Sequence, residues 1–444
     1  MKISIIGGGL AGSEACYQLL KRGHSVELIE MRPSHSTPAH KTGNLAELVC
    51  SNSLKSLDES SAPGLLKKEM LALDSLTIAA AHKARVPAGQ ALAVDREIFS
   101  QHISQVLSSF DNFSRIDAEF GELPTFPEMQ KRNEFLLIAT GPLTSEKLAL
   151  SLAQMSGDEK GLYFYDAIAP TIDADTIDYD HCFRASRYGK GDDDYLNIAL
   201  SKEEYYEFID AVIAAEKMSL HEFEKPKYFE SCLPVEVMIE RGRETLRFGP
   251  MKPVGLTDPK TGREPYAAIQ LRQENLDGTM FSMVGFQTKM KWPEQKRVFS
   301  ILPALKNADY LRYGTIHRNT YVHGPKVLAA DLSLRANPRI FLAGQITGVE
   351  GYTESAAIGL LAALALDAKA RDAVFVAPPS SSMLGALHDY VTASPSKDYQ
   401  PMNCNFGILP AVQAPQGVKK LPKQARKQMM VERASIDFTK WMTM

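Results

Sequence analysis

The sequence holds few cysteines, and none of them is spaced as a pair. Five cysteines are scattered over 444 residues, without a C-x-x-C motif and without a histidine at the spacing of a zinc site. Isolated thiols in odd number argue against a disulfide framework, and the missing ligand spacing argues against a structural metal. We therefore expect neither disulfides nor a bound metal. The five positions are Cys16, Cys50, Cys182, Cys232 and Cys404.

Long hydrophobic runs are also missing. No stretch reaches the roughly 18 consecutive apolar residues that a membrane-spanning helix needs. The first residues, Lys2–Ile6, have the pattern of an apolar core strand, which does not fit a signal peptide. The sequence thus predicts a cytoplasmic protein without a membrane partner.

The charges of the chain nearly cancel. The formal net charge is −3, from 50 Lys and Arg against 53 Asp and Glu. This balance gives no global sign of nucleic-acid binding, so any RNA contact must use a local basic surface. With 444 residues, of which 44% are hydrophobic, the chain has enough material for two or three domains.

What the chain does have is a glycine pattern at its N-terminus. The apolar strand is followed by glycines at positions 7, 9 and 12, in the spacing G-x-G-x-x-G. The first permits a tight turn, the second lets backbone approach a pyrophosphate, and the third lets a helix pack on the strand. Such turns also occur for packing alone, and the motif does not separate FAD from NAD. We assign to dinucleotide binding Gly7, Gly8, Gly9, Leu10, Ala11 and Gly12.

An acidic residue follows at the distance expected for this motif. Residues 25–30 have the pattern of a second strand, and Glu30 closes it eighteen residues after Gly12. A carboxylate there accepts hydrogen bonds from a ribose and favours one without a 2′-phosphate. The order of strand, glycines, helix, strand and acid predicts a dinucleotide-binding unit.

Two later segments repeat the pattern of strand and glycine. Residues 134–142 form an apolar strand ending in Ala-Thr-Gly, and residues 338–345 lead through Gly344 towards a helix of small residues. The second segment offers another helix N-terminus to the same cofactor. From about residue 188 the composition changes to an aromatic-rich helix and mixed strands. We expect an α/β protein with a nucleotide-binding domain in two parts, 1–187 and 313–444, and an inserted smaller α+β domain, 188–312.

Helices and basic surfaces outside these segments are less specific. Apolar spacing predicts one helix over residues 64–81, and Asp95 is expected to cap another that reaches about Ser109. The insertion mixes arginines with glutamates, which fits a solvated face as well as an RNA surface. The basic tail, residues 417–444, fits an RNA-facing surface or an amphipathic helix. That helix would cover the core through Met429, Met430 and Ile436.

Beyond the glycine motif, six segments follow one another in a characteristic order. They are residues 46–54 (AELVCSNSL), 232–234 (CLP), 248–256 (FGPMKPVGL), 284–288 (VGFQT), 317–320 (HRNT) and 344–355 (GQITGVEGYTES). Together they resemble the TrmFO family of folate- and FAD-dependent tRNA (uracil-5-)-methyltransferases, essentially from end to end. The resemblance implies a Rossmann-like FAD-binding domain of the glutathione-reductase-like flavoproteins, carrying the insertion.

The resemblance also implies the reaction. The family transfers a one-carbon unit from 5,10-methylenetetrahydrofolate to C5 of the T-loop uridine of tRNA, forming ribothymidine. Reduced FAD supplies electrons, and NADPH or NADH regenerates it. The same chemistry on a ribosomal RNA uridine stays open, as do a flavin oxidoreductase acting on a small molecule and a flavin-containing RNA-binding protein without catalysis.

Two cysteines match the functional cysteines of this family. C5 of uracil becomes nucleophilic when a thiolate adds at C6, and cysteine suits this role because its thiolate is accessible near neutral pH. The resemblance implies that Cys232 attacks uracil and that Cys50 lies beside the flavin, where it assists proton removal or binds the intermediate. Which of the two attacks uracil stays open, and the other three cysteines are expected to be structural.

The resemblance extends to the FAD site. Gly7 to Gly12 and Glu30 are implied at the pyrophosphate and the adenosine ribose. Relatives in the wider flavoprotein class often have Asp after the late glycine, where this chain has Gln. Glutamine can still bond a hydroxyl, so we expect a weaker contact with the same cofactor. The residues implied near the flavin end are Gly344, Gln345, Gly348, Gly351 and Thr353.

Overall fold

The structure is a computed structural model. It describes residues 2–35, 37, 39–157, 162–167, 169–189, 192–218, 233–395, 399–413 and 422–444. For residues 162–166, 317 and 318 it describes the backbone alone.

The strands of the described residues are numbered in chain order. They are β1 (Lys2–Ile6), β2 (Val26–Glu30), β3 (Ser53–Ser56), β4 (Arg85–Val86), β5 (Ala91–Val94), β6 (Phe113–Asp117), β7 (Glu134–Ile138), β8 (Leu162–Ala167), β9 (Thr171–Asp173), β10 (Phe183–Arg184), β11 (Tyr195–Leu200), β12 (Ala267–Gln273), β13 (Met280–Met283), β14 (Tyr310–Arg312), β15 (Ile316–Tyr321), β16 (Ser333–Leu334) and β17 (Asn337–Leu342).

The α-helices are numbered in the same way. They are α1 (Leu10–Lys21), α2 (Ala62–Ala72), α3 (Leu76–Lys83), α4 (Arg96–Ser108), α5 (Phe126–Arg132), α6 (Glu146–Ser156), α7 (Lys202–Ala214), α8 (Val235–Glu240), α9 (Trp292–Phe299), α10 (Gly324–Val327), α11 (Tyr352–Ala370), α12 (Met383–Ala393) and α13 (Lys423–Met442).

The first sheet has six strands in the order β16-β17-β7-β1-β2-β6. Its pairs are parallel, apart from the short β16, which runs antiparallel to β17. The chain moves from β1 outwards to β2 on one side and later returns to β7 on the other. The strand order therefore reverses between β1 and β7, and in open α/β sheets ligands bind at the carboxyl ends of such a pair.

The start of α1 lies very close to α11. A Cβ atom added to Gly359 would stand 2.3 Å from the carbonyl oxygen of Ala11, and one added to Gly344 would stand 2.6 Å from Ala11 Cβ. Glycine at these two positions lets the helix and the turn approach α1 directly. Most of α11 is then buried on all sides, and its apolar residues belong to the same hydrophobic core as those of β1 and α1.

The second sheet is antiparallel, in the order β10-β11-β12-β13-β9-β14. The helices α7, α8 and α9 cover one face and form a separate hydrophobic core, which includes Phe208, Phe286 and Phe299. Both β9 and β10 precede residue 188 in the chain and belong to this sheet. The division of the chain at 187/188 and 312/313 stays a prediction.

Most of the predicted elements are present. The α/β fold class is confirmed, with β1, α1, β2 and β7 where the sequence pattern predicts them. Asp95 is the N-cap of α4, and its carboxylate accepts hydrogen bonds from the N–H groups of Glu97 at 3.0 Å and Ile98 at 3.1 Å. Such a cap stabilises the first turn of a helix.

The prediction of one continuous helix is wrong. The single helix expected over residues 64–81 is interrupted, because α2 ends at Ala72 and α3 begins at Leu76. Asp74 lies between them with φ +57°, a left-handed conformation that a helix cannot continue. Ser75 then caps α3 through its hydroxyl, so two capped helices replace one.

Within the tail, Lys423–Met442 form an amphipathic helix, as one of its two interpretations predicts, and Met430 is buried as expected, but the rest of the buried face differs. Met430, Ala434 and Phe438 of α13 are buried, at the spacing of one helical face. Ile436, which we expected to cover the core, is 56% exposed, because it lies two residues from each of its buried neighbours and hence on another face. Within the described part of the chain, no helix is long and apolar enough to cross a membrane.

We expect Gly359→Ala to lower the free energy of unfolding by about 1–3 kcal/mol, because the new methyl collides with a backbone carbonyl that cannot move aside. This loss should outweigh the roughly 1 kcal/mol by which Ala is the better helix former. Urea unfolding measures the difference. Gly121→Ala is the control, since its Cβ would meet the flexible side chain of Lys147 at 3.4 Å. Equal stability of the two variants would contradict the prediction.

Candidate functional site

The glycine turn lies at the carboxyl end of β1, where the strand order reverses. Gly7 has φ +98°, and its N–H donates to the carbonyl of Ile29 at 2.8 Å. Gly9 is the N-cap of α1, and among the described residues no side chain caps the first turn and no acidic side chain lies in it. The free N–H groups of that turn form a site suited to an anion.

The three motif glycines differ in the space beside them. A Cβ on Gly12 would lie 1.9 Å from Gly7 O, and one on Gly7 would lie 2.7 Å from Ala139 O, so backbone fills both positions. A Cβ on Gly9 would meet no atom of the described residues within 4 Å. Open space at that glycine is what the close approach of a pyrophosphate requires. These residues therefore fit the phosphates of a dinucleotide.

The acidic residue of the motif lies against the glycine turn. Glu30 is 4% exposed, and its carboxylate accepts hydrogen bonds from the N–H of Gly8 at 2.6 Å and from the backbone N–H and Nε of Arg32 at 3.0 and 2.9 Å. Burial alone would raise the pKa of Glu30, but the contacts with Arg32 and Gly8 outweigh it and lower the pKa. The carboxylate is therefore ionised at neutral pH.

A pocket runs from this turn towards the late glycine segment. The empty space within it, including the part open to solvent, is about 980 Å³. It joins the carboxyl ends of β1 and β7, the end of β2 and the start of α11. Its lining includes Gly7, Gly9, Leu10, Ala11 and Glu30 from the N-terminal motif, together with Val49, Gln345 and Tyr352.

The late glycines shape the turn before α11. Gly344, Gly348 and Gly351 have φ values of +79°, +98° and +115°, a region in which residues with a Cβ are strained. In the same segment Gln345 lines the pocket and donates to Glu350. Thr353 is 1% exposed and packs away from the pocket, near the carbonyl of Leu54.

Residues 48–52 have no helix or strand, yet a side chain from α11 binds their backbone. The hydroxyl oxygen of Tyr352 accepts hydrogen bonds from the N–H groups of Cys50 at 2.7 Å and Ser51 at 3.1 Å. Cys50 itself is half-buried. Because Val49 and Tyr352 line the pocket, Cys50 lies next to its wall.

Two arginines bind the carbonyl groups of the same segment. Arg96, the first residue of α4, donates to Leu48 O at 3.1 Å and to Cys50 O at 3.4 Å. Arg312, the last residue of β14, donates to Val49 O. The segment around Cys50 is thus held by α4, α11 and β14, and β14 belongs to the second sheet.

Charges around this segment act on one another. Burial lowers the pKa of Arg96, but the carboxylate of Glu274, 2.7 Å away, together with Tyr352 and Cys50 outweighs burial and raises it. Burial lowers the pKa of Arg312, and the nearby charge of Arg96 adds to this effect while Cys50 and Tyr352 oppose it. Burial likewise raises the pKa of Tyr352, with Cys50 as the second cause. The thiol therefore shares a charged environment with both guanidinium groups.

A β-bulge directs Arg312 towards Cys50. Tyr310 pairs with Ile172 and Arg312 pairs with Thr171, so Leu311 is an extra residue in β14. Tyr310 packs against the second hydrophobic core, whereas Arg312 lies on the opposite face of the sheet. Bulges often redirect a side chain in this way beside functional sites.

The sulfur predicted to attack uracil is not described. Cys232 lies outside the described residues, which resume at Leu233, so its role stays a prediction. Burial raises the pKa of Cys16 and of Cys404 and raises that of Cys182 to about 12. These three thiols are poor sources of thiolate, which agrees with the structural role expected for them.

The sequence did not identify the residues that hold Cys50. In the sequence, Arg96 is only the residue after the expected cap Asp95, and Arg312 is only the last residue of the expected insertion. Tyr352 belongs to a segment used for the resemblance but was not assigned to the site. Arg32, which binds Glu30, lies two residues after it, and this short spacing is the one local signal that could have found it.

The chain was compared with known families and curated proteins. A family model described as glucose inhibited division protein A, GIDA, matches residues 2–373. The methylenetetrahydrofolate–tRNA-(uracil-5-)-methyltransferase TrmFO of Geobacter sulfurreducens is 51% identical over 441 residues, which cover 99% of this chain and 98% of that protein. The protein of the same name from Aquifex aeolicus is 50% identical over 440 residues, 99% and 96% of the two chains.

Solved structures show the same fold. The crystal structure of Aquifex aeolicus GidA in its form II crystal superposes with a TM-score of 0.69 at 15% identity, covering 99% of this chain and 73% of that one. At this identity the likeness concerns the fold alone. The curated relatives match at about half of all positions over nearly their whole length, and on that ground the chain belongs to the TrmFO family.

Proposed function

We propose that the protein methylates C5 of the T-loop uridine of tRNA, with 5,10-methylenetetrahydrofolate as carbon donor and FADH2, regenerated by NADH or NADPH, as reductant. The relatives' names state a folate donor, a tRNA acceptor and the uracil C5 position. The observation that carries the proposal is the pocket that joins an anion-accepting glycine turn to the segment of Cys50.

The residues of the pocket fit FAD. The N–H groups at the start of α1 and the free space beside Gly9 suit its pyrophosphate, Glu30 suits the hydroxyls of its adenosine ribose, and Gln345 suits a hydroxyl near the flavin end. The chemistry that FAD supplies when bound is the transfer of two electrons that turns the folate-derived carbon into a methyl group.

The chain's own contribution to the chemistry is its thiols. We assign to Cys232 the addition of a thiolate to C6 of uracil, which sends the electron pair of the C5–C6 double bond towards the incoming carbon. Loss of the C5 proton, assisted by Cys50, releases tetrahydrofolate from the transferred carbon, and reduction of that carbon by two electrons with departure of the Cys232 sulfur from C6 restores the ring. A flavin oxidoreductase of small molecules would need neither Cys232 nor a basic surface, so dependence of the activity on Cys232 separates the two functions.

We expect purified, FAD-loaded protein to form 5-methyluridine in a T-arm transcript only when methylenetetrahydrofolate and NAD(P)H are both present. Nucleoside mass spectrometry measures the product, and S-adenosylmethionine without folate is the control. Methylation in that control would refute the proposed donor. Methylation of ribosomal RNA, but not of tRNA, would keep the chemistry and change the acceptor.

We expect Gly9→Ala to weaken FAD binding by about tenfold or more, which corresponds to roughly 1.4 kcal/mol. The methyl would occupy the space that suits the pyrophosphate, yet within the described part of the chain it meets no atom within 4 Å. The melting temperature of the FAD-free protein should therefore stay unchanged. Fluorescence titration with FAD measures the affinity, and Gly121→Ala is the matched glycine control. Unchanged affinity would show that the turn does not bind the pyrophosphate.

We expect Cys232→Ala to abolish methyl transfer while FAD stays bound, because its thiol acts on uracil. A covalent adduct with 5-fluorouridine RNA should form in the unsubstituted protein and be lost in the variant lacking the attacking thiol. Gel shift under denaturing conditions detects the adduct, and Cys182→Ala is the control that should retain it. Loss of the adduct in Cys50→Ala alone would show that Cys50, and not Cys232, attacks uracil.

A further inference from the structure

The contacts of one arginine connect the Cys50 segment to the second sheet. We infer that Arg96 is a positioning residue for Cys50, held in place by Glu274. The inference rests on the role proposed above for Cys50, and it adds residues that neither the glycine motif nor the family resemblance assigns.

The Arg96 side chain lies between two partners, the backbone of the Cys50 segment and the carboxylate of Glu274. One side of its guanidinium donates to the carbonyl oxygens of Leu48 at 3.1 Å and Cys50 at 3.4 Å. Its Nη2 also lies 2.7 Å from Glu274 Oε2. The Arg96 side chain is 22% exposed and that of Glu274 is 3% exposed. An ion pair so shielded from water is stronger and better ordered than a surface pair.

The chemistry requires arginine at this position. A guanidinium presents several N–H donors in a rigid plane, so it can reach two carbonyls and a carboxylate at once. A lysine ammonium carries one compact charge on a flexible stem and cannot reproduce that arrangement. Arg96→Lys therefore keeps the charge near the thiol and removes the geometry.

The ion pair between Arg96 and Glu274 also connects the part of the chain built on the first sheet with the part built on the second sheet. Glu274 follows β12, whereas Arg96 begins α4. Nearby, Asn52 Oδ1 accepts a hydrogen bond from Arg272 Nε at 2.8 Å, and Asp95 accepts one from the N–H of Leu276 at 3.2 Å. The segment that carries Cys50 is thus fixed to both units, and the thiol's place depends on how they meet. Misplacement of a reacting group by about 1 Å can cost on the order of 100-fold in rate.

The test compares Arg96→Lys and Glu274→Gln with Arg339→Lys in full-length, FAD-loaded protein. Arg339 also donates to a backbone carbonyl, that of Glu134 at 3.1 Å, but on β17, so it controls for the loss of a guanidinium. The first measurement is the rate at which iodoacetamide alkylates Cys50, read from the mass of the Cys50 peptide without RNA or folate. The second is the kcat and the KM for RNA of methylation.

For Arg96→Lys we expect the alkylation rate of Cys50 to change by a factor of about three or more. We also expect an about tenfold or larger loss of kcat, with a KM for RNA within about twofold of the unsubstituted protein. Glu274→Gln should act in the same direction, and the double variant should be no worse than Arg96→Lys, since residues of one network are not additive. Arg339→Lys should change neither measurement.

The inference is overturned if Arg96→Lys and Glu274→Gln match Arg339→Lys in both measurements, the alkylation rate of Cys50 and the kcat of methylation. Should Arg96→Lys fail to fold, the two measurements on Glu274→Gln alone test the inference. Glutamine has the size of glutamate and keeps one acceptor oxygen. Full activity of Cys50→Ala would instead remove the proposed role of Cys50, and the alkylation rates would still report whether Arg96 sets the position of the thiol.

Discussion

The close approach of α1 to its neighbours is the constraint on which the pocket depends. No side chain separates Ala11 from Gly359 of α11 or from Gly344 of the turn before it, and no Cβ would fit in either place. The N-termini of α1 and α11 therefore lie near each other, at the carboxyl ends of β1 and β17. A single pocket can then be lined by both helix starts, although the two are more than 300 residues apart in the chain.

The Cys50 segment depends on a different kind of interaction. Its backbone forms no helix or strand, and its N–H and carbonyl groups are satisfied by long side chains from elsewhere, chiefly Arg96, Arg312 and Tyr352. Buried backbone groups need such partners. A loop held in this way has a defined shape without the bulk of a regular element.

The parts of this site that sequence predicts are those set by short-range rules. The glycine turn and Glu30 lie within thirty residues of each other, and each requires a particular residue at a particular spacing. Contacts such as that of Arg312 with Val49 join residues more than 250 positions apart, for which one sequence carries no signal. The extra residue Leu311 also breaks the alternation from which the face of Arg312 would be inferred. Asp74 interrupts a helix for a similarly local reason, its left-handed backbone, which apolar spacing does not reveal.

The state of Glu30 has a consequence for how the protein takes up its cofactor. Arg32 and the N–H of Gly8 already hold this carboxylate as an anion and in a fixed orientation. A ribose hydroxyl that binds there donates to a carboxylate that is already deprotonated and already oriented. Binding of the nucleotide then requires no proton exchange at Glu30.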